Sequence, residues 1–214
     1  MFSWWSRKKL LAAVSVQSEV LPAAALQALA ESLLRSPFLQ ANVLNARFST
    51  TQGFSVIFQD PADLLRNYPE TAAFLDLLQA PQTNLYYLNV LAIGEQGCVE
   101  RHVDHSIRGY DPRLPLPQQV SVLYVQVPPM QGGALLLYDD GGQEVQRLLP
   151  CTGMLIHFPG QTRHAVEAIR QTDGLRLSLV CEQYRLKPAE LQALPHFTLK
   201  STAGFEAYLQ RHLP

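Results

Sequence analysis

The sequence predicts a mainly β fold with flanking helices, an antiparallel sandwich or barrel that helices lead into and close out. Three observations carry this. From Asn84 onward, short apolar runs recur at regular spacing, and the breaks between them hold Gly, Pro or Asp, which is how strands joined by tight turns read. Ahead of that stretch, Pro22 to Arg35 places Leu26, Leu29, Leu33 and Leu34 on one side at spacings of three and four, the period of an amphipathic helix. After residue 184 the helical pattern returns, and such helices can cover the outer face of an antiparallel core.

Composition narrows the class. The chain has 214 residues, 17 basic and 18 acidic, and a net charge of -1. Only 16% of residues are charged, against about 25% in an average soluble domain. The apolar fraction of 47% excludes a disordered chain. The balanced charge speaks against a nucleic-acid partner bound through a basic surface. No apolar run approaches the roughly 18 residues of a membrane span. A soluble chain of this length buries about 70% of its unfolded surface, and one domain over residues 1–214 is the simplest organisation. Within it, 1–83 reads as a mainly helical lead-in packing on the core, 84–184 as the β core and 185–214 as C-terminal helices.

Charge is also unevenly placed. Lysine occurs at Lys8, Lys9, Lys187 and Lys200 and nowhere between 9 and 187, so a cation in a central site has to be Arg or His. Cys98, Cys151 and Cys181 form no CxxC pair and read as reduced thiols in a cytoplasmic protein. Arg7-Lys8-Lys9 before Leu10 to Val16 begins like a signal peptide, but Gln17-Ser18-Glu19 interrupts the apolar stretch. Phe2, Trp4 and Trp5 are expected to dock on the domain.

The elements follow in order. Pro22 to Arg35 is the first helix. Asn45 to Phe58 alternates like a strand or hairpin, with Gln52-Gly53 as its turn. Asp60-Pro61 is an N-cap followed by proline at the first helical position. Pro69-Glu70 starts a second short helix through Phe74, Leu75, Leu77 and Leu78. The strand candidates are Leu85-Ile93, Val120-Val127, Ala134-Tyr138, Val145-Leu149, Met154-Phe158, Ala165-Ile169 and Leu175-Cys181. Helices are expected again at Pro188-Leu194 and Ser201-Arg211.

Against this apolar background a few polar residues stand out. In Arg101-His102-Val103-Asp104-His105, alternation along an extended backbone turns His102 and Asp104 the same way. An imidazole beside a carboxylate suits a divalent metal, and a further histidine would complete the two-His, one-carboxylate face that leaves octahedral positions open. His105 points away from the pair. Two residues compete for the third place. His157 lies inside an apolar strand, where a histidine is usually a satisfied core residue. His164 opens the strand after Pro159 to Arg163 and is better placed to meet another strand end. In the last strand, Leu175, Leu177, Leu179 and Cys181 form one face and Arg176, Ser178 and Val180 the other. An Arg176 directed into a barrel needs an anion, and a carboxylate matches its paired donors. Otherwise it lies on a solvated face or pairs with an acid such as Glu167.

Taken together, these motifs resemble the 2-oxoglutarate- and Fe(II)-dependent oxygenases of the prolyl-4-hydroxylase-like branch. Besides His102-x-Asp104, His164 and Arg176-x-Ser178, the stretches Val122-Leu123-Tyr124-Val125-Gln126, Gly132-Gly133-Ala134-Leu135, Pro150-Cys151-Thr152-Gly153, Met154 to Phe158 and His164-Ala165-Val166 follow the family's order. The match spans residues 84–184. The resemblance implies a double-stranded β-helix, or jelly roll, with Fe(II) on His102, Asp104 and His164. It also implies 2-oxoglutarate as cosubstrate, its far carboxylate on Arg176 with help from Ser178 and Tyr124, and O2 as oxidant. The implied reaction is hydroxylation of a peptidyl side chain or small molecule, with decarboxylation of 2-oxoglutarate to succinate.

Two departures and one loop qualify the match. Ala92 and Ile93 stand where the family often has a tyrosine, and the interval from His164 to Arg176 is long, with Arg170 to Gly174 as the turn that absorbs it. Glu182 stands where the nucleic-acid demethylase branch has a second arginine, which removes that branch. Ser106 to Gln119 is rich in proline, and its Arg108, Tyr110 and Arg113 are candidates for substrate contact. The competing reading is a cupin-like metal- or ligand-binding protein without turnover, which gives Arg176-x-Ser178 no work.

Overall fold

A computed structural model describes residues 9–41 and 48–201. The aromatic and basic residues Phe2 to Lys8, and nearly all of the helix expected at Ser201-Arg211, lie outside them. Strand β1 (Ser15–Gln17) precedes helix α1 (Ala23–Arg35), and β2 (Gln40–Ala41) precedes the long strand β3 (Phe48–Phe58). Helix α2 (Pro61–Asn67), a 3-10 turn at Pro69–Thr71 and helix α3 (Ala72–Leu75) follow. The core strands are β4 (Leu85–His102), β5 (Gln119–Gln126), β6 (Met130–Gly132), β7 (Leu135–Tyr138), β8 (Glu144–Leu148), β9 (Leu155–Pro159), β10 (Arg163–Val166), β11 (Ile169–Thr172) and β12 (Arg176–Tyr184). Helix α4 (Pro188–Gln192) and strand β13 (Phe197–Lys200) complete the described chain.

The strands pair antiparallel in the order β1-β9-β5-β12-β4-β10-β7-β8, with β3 on the other side of β4 and β13 and β2 on β3. This curled antiparallel arrangement is the jelly roll. Strand β4 makes it possible. Its first half pairs with β12 from Leu85↔Tyr184 to Ile93↔Arg176, while its end pairs with β10 through His102↔His164. The strand bends between these halves at Gly94-Glu95-Gln96-Gly97, where Gln96 has φ 63. A Cβ on Gly97 would lie 2.4 Å from Ile93 Cγ2 and 2.9 Å from the carbonyl oxygens of Gly94 and Thr50. Only glycine fits that close approach.

Both faces of the sheet are covered. On the outer face, Leu29, Ala30 and Leu33 of α1 pack with Phe54, Leu88, Val90, Leu123, Val125, Leu177, Leu179 and Cys181. The helical stripe read from sequence is this contact, with Leu26, Leu29, Ala30 and Leu33 buried. Inside the roll, Val120, Val122, Tyr124, Leu135, Leu137, Ile156 and Phe158 form a second cluster. At α2 the Asp60 side chain accepts a hydrogen bond from the Ala62 amide at 2.9 Å, and Pro61 begins the helix. Among the described residues no helix is long and apolar enough to cross a membrane.

Several local expectations are corrected. Gln52-Gly53 is not a turn: β3 runs through it, because the strand pairs with β4 from Phe48↔Val99 to Phe58↔Tyr86. Gly94 and Gly97 do not end a strand; they bend one. Residues Arg170 to Thr172 belong to β11, which pairs with β6 because Ile169 is fully buried against Leu91, Ile93 and Val99. Residues 197–200, expected between helices, form β13 against β3.

Candidate active site

The end of β4 and the start of β10 bring two histidines face to face. The cross-strand pair His102↔His164 sets the ring centroids 4.3 Å apart. Asp104, two residues beyond His102, turns back toward both. Its Oδ1 lies 3.2 Å from His102 Nε2 and its Oδ2 3.5 Å from His164 Nε2. One ligand atom from each of the three residues lies within 4.8 Å of the others, and among the described residues they form the one such group.

The tautomers suit a metal. His102 Nδ1 is 2.7 Å from the Glu100 carbonyl and His164 Nδ1 is 3.0 Å from the Thr162 carbonyl. A carbonyl only accepts, so each Nδ1 carries the proton and each Nε2 lone pair faces the group. Metal-binding imidazoles are oriented in this way by the hydrogen bond on their far nitrogen. The carboxylate is withdrawn from solvent: Asp104 is 9% exposed.

The group opens into a small cavity of about 40 Å³ inside the roll, bounded also by Asn89, Leu91, Val122, Tyr124, Leu135, Val166, Arg176, Ser178 and Val180. Alternation along β12 aims Arg176, Ser178 and Val180 inward. Arg176 is 1% exposed. Its Nη1 donates to the Gly133 carbonyl at 2.7 Å, its Nε has no partner, and its guanidinium sits 5.4 Å from the Tyr124 ring centroid. Among the described residues no carboxylate forms an ion pair with it. The acid considered from sequence, Glu167, pairs with Arg147 at 3.0 Å. Burial pulls the Arg176 pKa down, opposed by Tyr124, and burial pushes the Tyr124 phenol up, opposed by Arg176. A buried guanidinium without an anion is unfavourable, so this donor set fits a carboxylate ligand. Ser178, also 1% exposed, donates weakly to the Leu91 carbonyl at 3.4 Å.

The remaining sequence candidates separate. His157 is a buried core histidine: its Nδ1 lies 2.7 Å from Ser121 Oγ and 3.1 Å from Gln119 Nε2, and burial lowers its pKa. His105 is exposed. Arg108, Tyr110 and Arg113 sit on and after the 3-10 turn Ser106–Gly109, and none of them bounds the cavity. Arg108 Nε donates to the Leu114 carbonyl at 2.7 Å, Arg113 pairs with Asp111 at 2.7 Å, and Lys200 stands 4.2 Å over the Tyr110 ring. Ile93, at a position where the resembled family often has a tyrosine, is buried opposite Arg176 in the β4–β12 register.

Two further inward residues, Asn89 and Glu182, are not among the site candidates of the sequence. Asn89 lines the cavity, its Oδ1 accepting from Ser55 Oγ at 2.7 Å. Its signal was a lone amide within Leu85-Ile93. Glu182 is 3% exposed and shares the face of Arg176, as counting by twos along β12 shows. A second, larger groove of about 870 Å³ lies between α1 and the end of β5. Its floor is aliphatic, from Leu26, Ala30, Leu34 and Val125, and it contains none of the chemistry.

Comparison with known proteins places this architecture. No protein-family model matches the chain, and no curated protein does. Solved structures do. A prolyl-4-hydroxylase from Pseudomonas putida is 20% identical, with a TM-score of 0.57 over 86% of this chain and 98% of its own. An oxidoreductase of the 2OG-Fe(II) oxygenase family from Burkholderia pseudomallei is 15% identical, with a TM-score of 0.58 over 87% and 91%. A prolyl hydroxylase from Trichoplax adhaerens, solved with a hypoxia inducible factor peptide fragment, is 15% identical, with a TM-score of 0.60 over 86% and 89%. The chain therefore has the fold of the prolyl-4-hydroxylase-like 2-oxoglutarate/Fe(II) oxygenases.

Proposed function

We propose that the protein is an Fe(II)- and 2-oxoglutarate-dependent dioxygenase that hydroxylates a peptidyl side chain or a small molecule. The observation that supports this most is a three-donor metal group sharing one cavity with a buried guanidinium that has no carboxylate partner among the described residues. His102, Asp104 and His164 would hold Fe(II), and three protein ligands leave octahedral positions for cosubstrate and O2. Iron held there would supply the oxidation, in which O2 and 2-oxoglutarate are consumed, succinate and CO2 are released and one oxygen atom enters a substrate C–H bond.

The chain's own residues do the rest. Arg176 binds the far carboxylate of 2-oxoglutarate through parallel hydrogen bonds. Tyr124 and Ser178 offer hydroxyls to the same ligand, while Leu91, Val122, Leu135, Val166 and Val180 exclude water. Arg108, Tyr110 and Arg113 remain the candidates for substrate contact on the loop leaving the metal motif, although Arg113 would first have to leave Asp111. A peptide is in keeping with the Trichoplax adhaerens neighbour, which was solved with one. With 17 basic against 18 acidic residues, nucleic acid is not placed among the partners, and a cytoplasmic location fits the unpaired cysteines.

The test is succinate formation from 2-oxoglutarate, with Fe(II) supplied and omitted. Iron-dependent succinate that His102→Ala abolishes is expected. A folded protein that binds neither Fe(II) nor 2-oxoglutarate overturns the proposal.

A further inference from the structure

We infer that Glu182 is a positioning residue that holds the Asp104 arm of the metal site in place through Ser106. This rests on the metal-site reading above. Asp104 lies between two anchors. Upstream, His102 is paired with His164 across the sheet. Downstream, Ser106 is fastened to Glu182: the Ser106 amide donates to Glu182 Oε2 at 3.1 Å, and the Ser106 hydroxyl donates to Oε1. Only the exposed His105 separates Asp104 from that anchor.

The anchor is itself fixed. The Tyr184 hydroxyl donates to Glu182 Oε2, and Glu182 stands opposite Tyr87 in the β4–β12 register. Ser106 opens the 3-10 turn Ser106–Gly109, whose Ile107 is fully buried. Both Glu182 oxygens are thus used in locating one loop residue.

Two other roles for Glu182 do not fit. It is not a fourth ligand, since the donors lying within 4.8 Å of one another are those of His102, Asp104 and His164. It does not serve as an ion-pair partner either: among the described residues its carboxylate meets the Ser106 amide and the hydroxyls of Ser106 and Tyr184, so its contribution is geometric. Groups that orient metal ligands from behind typically change metal affinity about 10- to 100-fold when removed.

The experiment measures Mn(II) binding, as a redox-stable probe, to the full chain and to Glu182→Ala, Glu182→Gln and Ser106→Ala, with melting of the metal-free proteins alongside. Glu182→Ala is expected to weaken Mn(II) binding about 10- to 100-fold. Glu182→Gln, whose amide can satisfy Ser106 and Tyr184, is expected to bind close to wild type. Ser106→Ala keeps the backbone link and is expected to fall between them.

A folded Glu182→Ala with wild-type affinity overturns the inference, as does Glu182→Gln binding as weakly as Glu182→Ala, which would make charge the cause. If Glu182→Ala does not fold, wild-type affinity in Ser106→Ala overturns it. Lower melting with unchanged Mn(II) affinity marks a merely structural residue and also overturns it. A wild-type chain that binds no Mn(II) sinks the metal site itself, whereas binding that is insensitive to these variants sinks only the role of Glu182.

Discussion

His102 and His164 are cross-strand partners, at the last residue of β4 and the second of β10, and their ring centroids are 4.3 Å apart. The two come from positions 62 residues apart in sequence, yet backbone pairing alone brings them together. Asp104 then needs only to fold back over them. On the proposed metal site, losing either imidazole removes one of three ligands, so His102→Ala and His164→Ala should each weaken Mn(II) binding by at least about 100-fold, beyond the effect expected of supporting groups. Titration of Mn(II) into the folded variants checks this, with circular dichroism to show that the sheet persists.

Arg176 sets stability against binding. Its guanidinium is buried, its Nε lacks a partner, and it has one hydrogen bond, to the Gly133 carbonyl. Replacing a buried ion by an apolar side chain of similar size is often neutral or stabilising by about 1–4 kcal/mol. Arg176→Met should therefore melt at or above the wild-type temperature. It should also lose 2-oxoglutarate binding while retaining Mn(II). Calorimetric titration of both ligands, with thermal melts, separates the two effects.

The turn that supplies that carbonyl is demanding. Gly132 has φ 86 and Gly133 φ 73, and a Cβ on Gly132 would fall 2.2 Å from the Ala168 carbonyl oxygen. Gly132→Ala therefore has to move β6 away from the residues leading into β11. A destabilisation of roughly 1–3 kcal/mol is expected, with weaker 2-oxoglutarate binding because the Gly133 carbonyl shifts. Urea unfolding measures the first and calorimetry the second.

The metal-free protein should be less stable at higher pH because of Glu182. Burial first, and then the Asp104 carboxylate, push its pKa from 4.5 up to about 8. Between those values the folded state keeps a proton that the unfolded state has released. The unfolded state binds fewer protons, so stability falls as pH rises through that window. The stabilisation is complete below the ordinary carboxylate range and is lost as pH passes about 8. Glu182→Gln cannot ionise and should flatten the decline. Melting temperatures from pH 5 to pH 9 would show it, and an equal slope in the variant would refute it.

Much of this molecule is legible in its sequence where periodicity and burial coincide. The stripe Leu26, Leu29 and Leu33 is the face of α1 on the sheet, and Asp60-Pro61 starts α2, because both depend on residues close in the chain. Along β12, alternation separates Leu177, Leu179 and Cys181, beneath the helices, from Arg176 and Ser178, inside the roll. The misread elements are long-range ones. Gln52-Gly53 resembles a turn locally, but pairing with β4 keeps it extended. Gly94 and Gly97 resemble a strand end, yet the neighbours on either side reward a bend that continues. Residues 197–200 hold β-formers in Phe197 and Thr198, but a run of four announces no partner until β3 offers an edge.

What the sequence determines by itself is the class of fold and the inventory of chemistry: a low-charge β core in which a His-x-Asp, further histidines and the arginine of the Arg176-x-Ser178 strand are set against aliphatic residues. Side-chain type and alternation suffice for that, since both are local properties. Which histidine joins the pair is decided by tertiary structure, because β10 places His164 opposite His102 while the register of β9 with β5 ties His157 to Ser121. The structure also decides that Arg176 is buried without an acid among the described residues, Glu167 having been taken by Arg147, and that Glu182 is hydrogen-bonded to Ser106. Those outcomes depend on strand register and on competition between partners distant in the chain, and no window of sequence contains them.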